Sequence, residues 1–286
     1  MTVADIDLRT TRELVELIND ADATVAATVR GASEALAGAI DAIVERLDGG
    51  GRLVYVGAGS SGRLALVDAA ECGPTFGLEP GRVIALVAGG PAALAEAQEA
   101  AEDDSDAGAR EVVEAGVSAK DAVVLLSASG GTPYVLGAAT AAREAGALTV
   151  SVVCAEASEL GRLADRAVAV PVGPEVVAGS TRMKAGTAQK LVLNTISTVS
   201  MIRLGRTFGD LMVDVVPSNR KLRSRARDAV ALATGAADAE VDAALAAAGG
   251  EVKVAIVSLV AGIDAAAARA RLDQAGGAVR RALEAR

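Results

Sequence analysis

Two short apolar runs, Leu53–Val56 and Ala122–Leu126, each stop at a turn of glycine and hydroxyl residues, G-A-G-S-S-G at 57–62 and S-A-S-G-G-T at 127–132. A buried strand that ends in such a turn and feeds a helix is the repeating unit of a parallel sheet. Further strand-like runs at Arg82–Val87, Leu148–Val153 and Ala167–Val170, with helical segments between most of them, extend the pattern. The alternation predicts an α/β fold: a parallel sheet flanked by helices and joined by right-handed crossovers. Aromatic residues make up 1% of a chain that is 51% apolar, so the core has to be packed from Ala, Val, Leu and Ile, which suits helices laid on such a sheet.

Helical periodicity precedes the sheet at Thr11–Asn19 and Val25–Leu47, the second ended by Gly49-Gly50-Gly51. It returns from about Thr181 to Leu204, opened by Gly179-Ser180-Thr181, and at Ser218–Ala233, with Thr234-Gly235 as the stop signal. The tail reads as three short helices near 238–247, 251–259 and 264–275 and a terminal turn from Ala278. The expected division is residues 1–234, a sheet domain with N-terminal helices, and 235–286, a small Ala-rich helical unit without chemistry of its own.

Several function classes are disfavoured by what the chain lacks. A net charge of −9 offers no basic footprint for nucleic acid or an anionic membrane surface. Cys72 and Cys154 have neither metal-ligand spacing nor the density of a secreted disulfide scaffold. The start, Met1-Thr2-Val3-Ala4-Asp5, has no positive region followed by an apolar stretch, and no run of 18 or more apolar residues follows. A reduced, cytoplasmic protein without a membrane segment is expected. There is no histidine, which removes the commonest general base and zinc ligand, so acid–base chemistry falls to carboxylates, Lys, Tyr or Cys.

Gly57, Gly59 and Gly62 match the G-x-G-x-x-G spacing of a dinucleotide-binding turn. Such a site also needs an acidic residue at the end of the second strand to hold the ribose, and Arg82–Val87 runs out into Ala88-Gly89-Gly90. Two hydroxyl-rich loops at strand ends, each aiming backbone N–H groups and a helix dipole at one point, suit a small phosphorylated ligand instead. The binding candidates are Gly59, Ser60 and Ser61 in the first loop, Ser127, Ser129, Gly130 and Thr132 in the second, and Ser180 and Lys184 near the start of the long helix. The plainer role for the loop hydroxyls is helix capping. Glu71, where an apolar helix runs into a Gly73-Pro74 turn, can reach a sugar held by the first loop, or can be a solvated helix end. Glu102 stands in an acidic run, Glu102-Asp103-Asp104-Ser105-Asp106, of the kind that also forms N-caps and solvated faces. Cys72 has no basic neighbour to activate it and reads as structural.

Taken in order, Gly57–Leu64, Glu71–Gly77, Ala101–Asp104, Ser129–Val135 and above all the long block Gly173–Lys190 closely resemble the bacterial N-acetylmuramic acid 6-phosphate etherases, and the likeness extends through Phe208–Asp214 into the tail. The resemblance implies a sugar isomerase (SIS) type α/β domain, a ubiquitin-associated-like (UBA-like) helical tail and a homodimer. It also implies cleavage of the D-lactyl ether of N-acetylmuramic acid 6-phosphate by water, without metal or cofactor, in amino-sugar and cell-wall recycling. Glu71 matches the family's proton donor and Glu102 its second catalytic carboxylate. The chain departs from relatives at Gly73, where they commonly carry Pro or a bulkier residue, at Ser60, usually Thr, and in starting short of a Thr-Glu-x-Arg-Asn element. Two rival readings share the ligand class: an aldose–ketose isomerase, and a non-catalytic sugar-phosphate sensor akin to glucokinase regulatory protein.

Overall fold

The structure, a computed structural model, describes residues 5–94, 96, 98–215 and 220–284. It divides into two compact units, Met1–Ala70 with Gly81–Ser197, and Glu71–Pro80 with Thr198–Arg286. The expected boundary after residue 234 falls inside the second unit.

The first unit holds the parallel sheet. Its strands are β1 (Leu53–Gly57), β2 (Val83–Val87), β3 (Ala122–Ser127), β4 (Leu148–Val153) and β5 (Arg166–Ala169), in the order β2-β1-β3-β4-β5 with every neighbouring pair parallel. The three central strands are buried along their whole length, and on the edges β2 and β5 only Val87 and Val168 are. Continuous apolar runs in the middle are what a sheet covered on both faces requires. The chain leaves β1 toward β2 on one side and returns to β3 on the other, so the strand order reverses between β1 and β3. A crevice opens beyond the carboxyl ends of strands at such a reversal, where ligands of open α/β sheets bind.

The helices before the sheet are α1 (Thr11–Ala23), α2 (Val25–Gly31) and α3 (Ser33–Asp48). A capping box starts α1: the Glu13 amide donates to the Thr10 hydroxyl and the Thr10 amide to the Glu13 carboxylate. The single helix expected over Val25–Leu47 is broken at Ala32, whose φ of −90° and ψ of 8° leave the helical region next to Gly31, a residue that weakens a helix interior. After β1 comes α4 (Gly59–Phe76), which contains Pro74, so the Gly-Pro turn expected after Glu71 is helix instead. Proline's missing donor removes only one ladder bond there, in the last turn.

Between β2 and β3 a 3₁₀ turn, Glu99–Asp103, leads into α5 (Ser105–Glu114). Asp104 caps α5 by accepting from the Ala107 amide at 2.8 Å, so this part of the acidic run is a helix start. Helix α6 (Pro133–Glu144) crosses α5 at two glycines: a Cβ on Gly108 would collide with the Tyr134 carbonyl oxygen, and one on Gly137 with that of Ser105. The Tyr134 hydroxyl donates to Glu111 at 2.5 Å across the same crossing. A short α7 (Glu159–Leu163) precedes β5, and α8 (Lys184–Arg203) follows it. The first turn expected for α8, from Thr181, is not helical, because the carboxylate of Glu175 accepts from the amides of Lys184 (3.1 Å) and Ala185 (2.9 Å) and fixes the start there.

The second unit contains a two-stranded antiparallel ladder, β6 (Thr207–Phe208) with β7 (Leu211–Met212), too short to register as periodicity. Its helices are α9 (Arg220–Thr234), α10 (Asp238–Ala247), α11 (Val252–Ala261), α12 (Ala265–Gln274) and α13 (Val279–Glu284). The expected terminal turn is thus a fourth tail helix, and the first two residues of the helix expected from Ser218 lie outside the described residues. The core gathers Val230, Val241, Val254, Ile256, Val257 and Leu272. At its edge Lys253 lies buried against Asp214 at 2.6 Å, with Arg206 at 3.4 Å from the same carboxylate; burial lowers the pKa of Lys253 while Asp214 opposes that. Among the described residues no single helix is long and apolar enough to cross a membrane.

Candidate functional site

The turn after β1 starts α4 with Gly59 at a φ of +53°, a conformation that glycine adopts without a Cβ penalty. The space beside it belongs to Glu102: a Cβ on Gly59 would come within 2.5 Å of Glu102 Oε1. The expected Gly59, Ser60, Glu102 and Ser180 share one cleft of about 390 Å³ in the first unit, together with Glu99, Arg63 and Arg182. The cleft therefore opens where β1 and β2 end, walled by the turn that carries Glu102 and by the segment leading to α8.

Glu102 is half-buried, and burial pushes its pKa up; the negative charge of Asp103 adds to this, Arg63 opposes it and Glu99 raises it further. A carboxylate with a raised pKa accepts a proton more readily than an ordinary one, the property needed in a general base. Its position comes from packing. Asp104 caps α5 two residues on, and α5 is locked to α6 at Gly108 and Gly137.

The second loop forms a hydroxyl cradle at the end of β3. Ser127 Oγ lies 2.8 Å from Thr132 Oγ1 and 3.5 Å from Ser129 Oγ, and it accepts from the Gly130 amide at 2.9 Å. The Gly131 amide donates to Ser129 Oγ at 3.2 Å. Thr132 is the N-cap of α6 yet makes no side-chain cap bond, because its hydroxyl is turned to Ser127. Pro133 opens α6 without an N–H, and Thr132 gives the amides after it no side-chain cap, an arrangement that suits an anion.

Two expected site residues, Ser61 and Lys184, are held by partners within the fold. The buried Ser61 donates to Gln189 Oε1 on α8 at 2.8 Å. Lys184 is buried with its ammonium donating to the Val172 carbonyl at 2.6 Å, and the α8 N-terminus it was expected to share with an anion holds the Glu175 carboxylate. Glu71 is an exposed residue of α4 and belongs to the second unit. A buried carboxylate, Asp68, ties α4 to the sheet and to α8, accepting from Tyr55 Oη (2.8 Å), Asn194 Nδ2 (2.6 Å) and Ser197 Oγ (3.1 Å). Cys72 fits the structural reading in being buried, and burial followed by the charge of Glu175 pushes the Cys154 thiol up to about 12.

Sequence reasoning gave no role to Arg63 or Arg182. Arg63 stands three residues after Ser60 in a segment that becomes helix, which puts both on one face. Its guanidinium donates to the carbonyls of Ala93 (2.9 Å) and Glu96 (3.4 Å). Arg182 is exposed on the segment between β5 and α8, where no periodicity announces a site.

Comparison with known proteins gives a consistent result. The chain matches the family model of the glucokinase regulatory protein N-terminal SIS domain over residues 35–143 and that of the SIS domain over residues 92–198. It is 55% identical to the N-acetylmuramic acid 6-phosphate etherase of Rubrobacter xylanophilus, covering 98% of the chain and 92% of the relative. Identity to the etherase of Streptomyces avermitilis is 52%, over 99% and 91%. To that of Escherichia coli it is 47%, over 98% and 94%. Among solved structures, a phosphoheptose isomerase from Francisella tularensis superposes with a TM-score of 0.54 at 18% identity, over 68% of this chain and all of that one. A phosphoheptose isomerase from Neisseria gonorrhoeae gives 0.52 at 18%, over 67% and 98%. These two share the fold.

Proposed function

Since the chain belongs to the N-acetylmuramic acid 6-phosphate etherases, we propose that the Glu102 cleft is where it breaks the lactyl ether, with Glu102 as the base. The protein is a SIS-type enzyme, a carbon–oxygen lyase acting on N-acetylmuramic acid 6-phosphate. The observation that carries the assignment of the base is the half-buried Glu102 carboxylate, raised in pKa and set against the glycine turn of β1.

An ether oxygen at carbon 3 leaves poorly from the closed ring. Once the ring opens, the carbon 1 aldehyde acidifies the proton on carbon 2. Glu102 takes that proton, the electron pair forms the carbon 2–carbon 3 double bond, and the carbon 3–oxygen bond breaks. Glu71, in a role carried by the resemblance, gives its proton to the departing lactate oxygen. Water then adds at carbon 3 with Glu71 as base, and carbon 2 recovers a proton, which leaves N-acetylglucosamine 6-phosphate and D-lactate. The two carboxyl groups need opposite protonation states at the outset, and the raised pKa of Glu102 strengthens it as the acceptor of the carbon 2 proton.

The phosphate is assigned to the cradle of Ser127, Ser129, Gly130 and Thr132, where hydroxyls meet the uncapped start of α6. Gly59, Ser60 and Ser180 face the sugar from the cleft walls. Ser61 and Lys184 hold the walls in place through Gln189 and Val172. The same reading takes the enzyme as a cytoplasmic homodimer that needs no metal or cofactor, with residues 235–286 as a UBA-like unit.

The test is release of D-lactate from N-acetylmuramic acid 6-phosphate by wild type, Glu71→Ala and Glu102→Ala, with solvent deuterium exchange at carbon 2 followed by NMR. Release by wild type, exchange surviving in the Glu71 variant and exchange lost in the Glu102 variant are expected. Exchange persisting without Glu102 would remove it as the base.

A further inference from the structure

The substrate presents two anionic groups, and the cradle after β3 accounts for one. The lactyl carboxylate hangs from the oxygen on carbon 3, the neighbour of the carbon that Glu102 deprotonates. It must therefore lie in the same cleft as Glu102, and two carboxylates brought together without a cation repel each other. The cations lining that cleft are Arg63 and Arg182. Arg63 spends its guanidinium on the carbonyls of Ala93 and Glu96, anchoring the segment that leads to Glu102. Arg182 is exposed, and among the described residues its guanidinium makes no hydrogen bond or ion pair. A second hollow of about 410 Å³ shares Ser60, Arg63 and Arg182 with the cleft and adds Lys190, so the wall beyond Arg182 is basic as well.

We propose that Arg182 receives the lactyl carboxylate and is the residue by which the enzyme selects an acidic ether at carbon 3. The inference rests on the Glu102 reading above. A planar guanidinium matches a carboxylate with two parallel hydrogen bonds. Held this way, the lactyl group is fixed before the carbon 3–oxygen bond breaks, and its charge is screened from Glu102.

The test uses two substrates, N-acetylmuramic acid 6-phosphate and its counterpart with the lactyl acid replaced by the carboxamide, on wild type, Arg182→Gln and Arg182→Lys. Wild type should prefer the acid. Arg182→Gln should lower kcat/KM for the acid roughly 10- to 100-fold, the range of a lost charge-assisted pair, and leave the amide within about twofold, so that the preference collapses. Arg182→Lys should restore part of it, and inhibition by N-acetylglucosamine 6-phosphate, which has no carboxylate, should stay as in wild type. An equal fall for acid and amide would overturn the proposal by giving Arg182 to the part the substrates share. An unchanged preference would overturn it outright. Absence of D-lactate release by wild type would sink the etherase reading and this inference together, whereas wild-type turnover with an intact preference in Arg182→Gln would sink this inference alone.

Discussion

The two turns that leave β1 and β3 are spelled almost alike in the sequence, yet they do different work. In the first, Gly59 yields its side-chain space to Glu102 and Ser61 turns inward to Gln189, so that Ser60 is the one hydroxyl of the turn on the cleft. In the second, the hydroxyls of Ser127, Ser129 and Thr132 gather on one another around the Gly130 amide, and Thr132 gives α6 no side-chain cap. On the proposed reading, one turn makes room for a reacting group and the other makes a receptacle for a charge. Similar strings of Gly and Ser therefore take their roles from the neighbours that other segments bring to them.

If that division is right, changes in the first turn lower kcat and changes in the second raise KM. Gly59→Ala should have the largest effect. Its methyl would meet Glu102 Oε1 at 2.5 Å in a backbone conformation that costs an L-residue about 1–2 kcal/mol, and single-turnover kinetics should show kcat down by roughly 10- to 100-fold. A rise in KM alone would erase the distinction. Next, Ser129→Ala combined with Thr132→Val should raise KM about tenfold, the worth of one or two hydrogen bonds, with kcat nearly constant in steady-state assays. A fall in kcat alone would move the cradle into the chemistry.

Smaller still, Ser61→Ala strips the buried Gln189 of its partner. A loss of about 1–2 kcal/mol should appear as a thermal midpoint lower by a few degrees, and a matching loss of sugar-phosphate affinity would return Ser61 to the ligand. The least change is expected from Asp103→Asn. The charge of Asp103 raises the pKa of Glu102, so its removal lowers that pKa, and the acid limb of the kcat/KM profile should move toward lower pH. A limb displaced upward, or unmoved, would mean that another group governs it.

The sheet was legible because its central strands are continuous apolar runs and its turns are made of glycine. Glu102 was harder to read: the run Glu102–Asp106 looks like any solvated helix start, and Asp104 does serve as one. What sets Glu102 apart is Gly59, more than forty positions earlier, and that contact leaves no local pattern. The break at Ala32 escaped because the apolar periodicity runs across it. The helix through Pro74 escaped because a proline in a last turn removes a single bond. Lys184 carried a helix-start signal, but a carboxylate nine residues upstream, Glu175, had already filled the position.

That carboxylate has a wider consequence. Glu175 bonds the amides of Lys184 and Ala185, and the Lys184 ammonium reaches back to Val172, so residues 176–183 form a loop stitched shut at its base. Such a loop is a cassette: its composition can be rewritten while the sheet and Glu102 stay where they are. A library confined to Val176–Met183, with Glu175 and Lys184 held constant, is where altered ether selectivity should be sought.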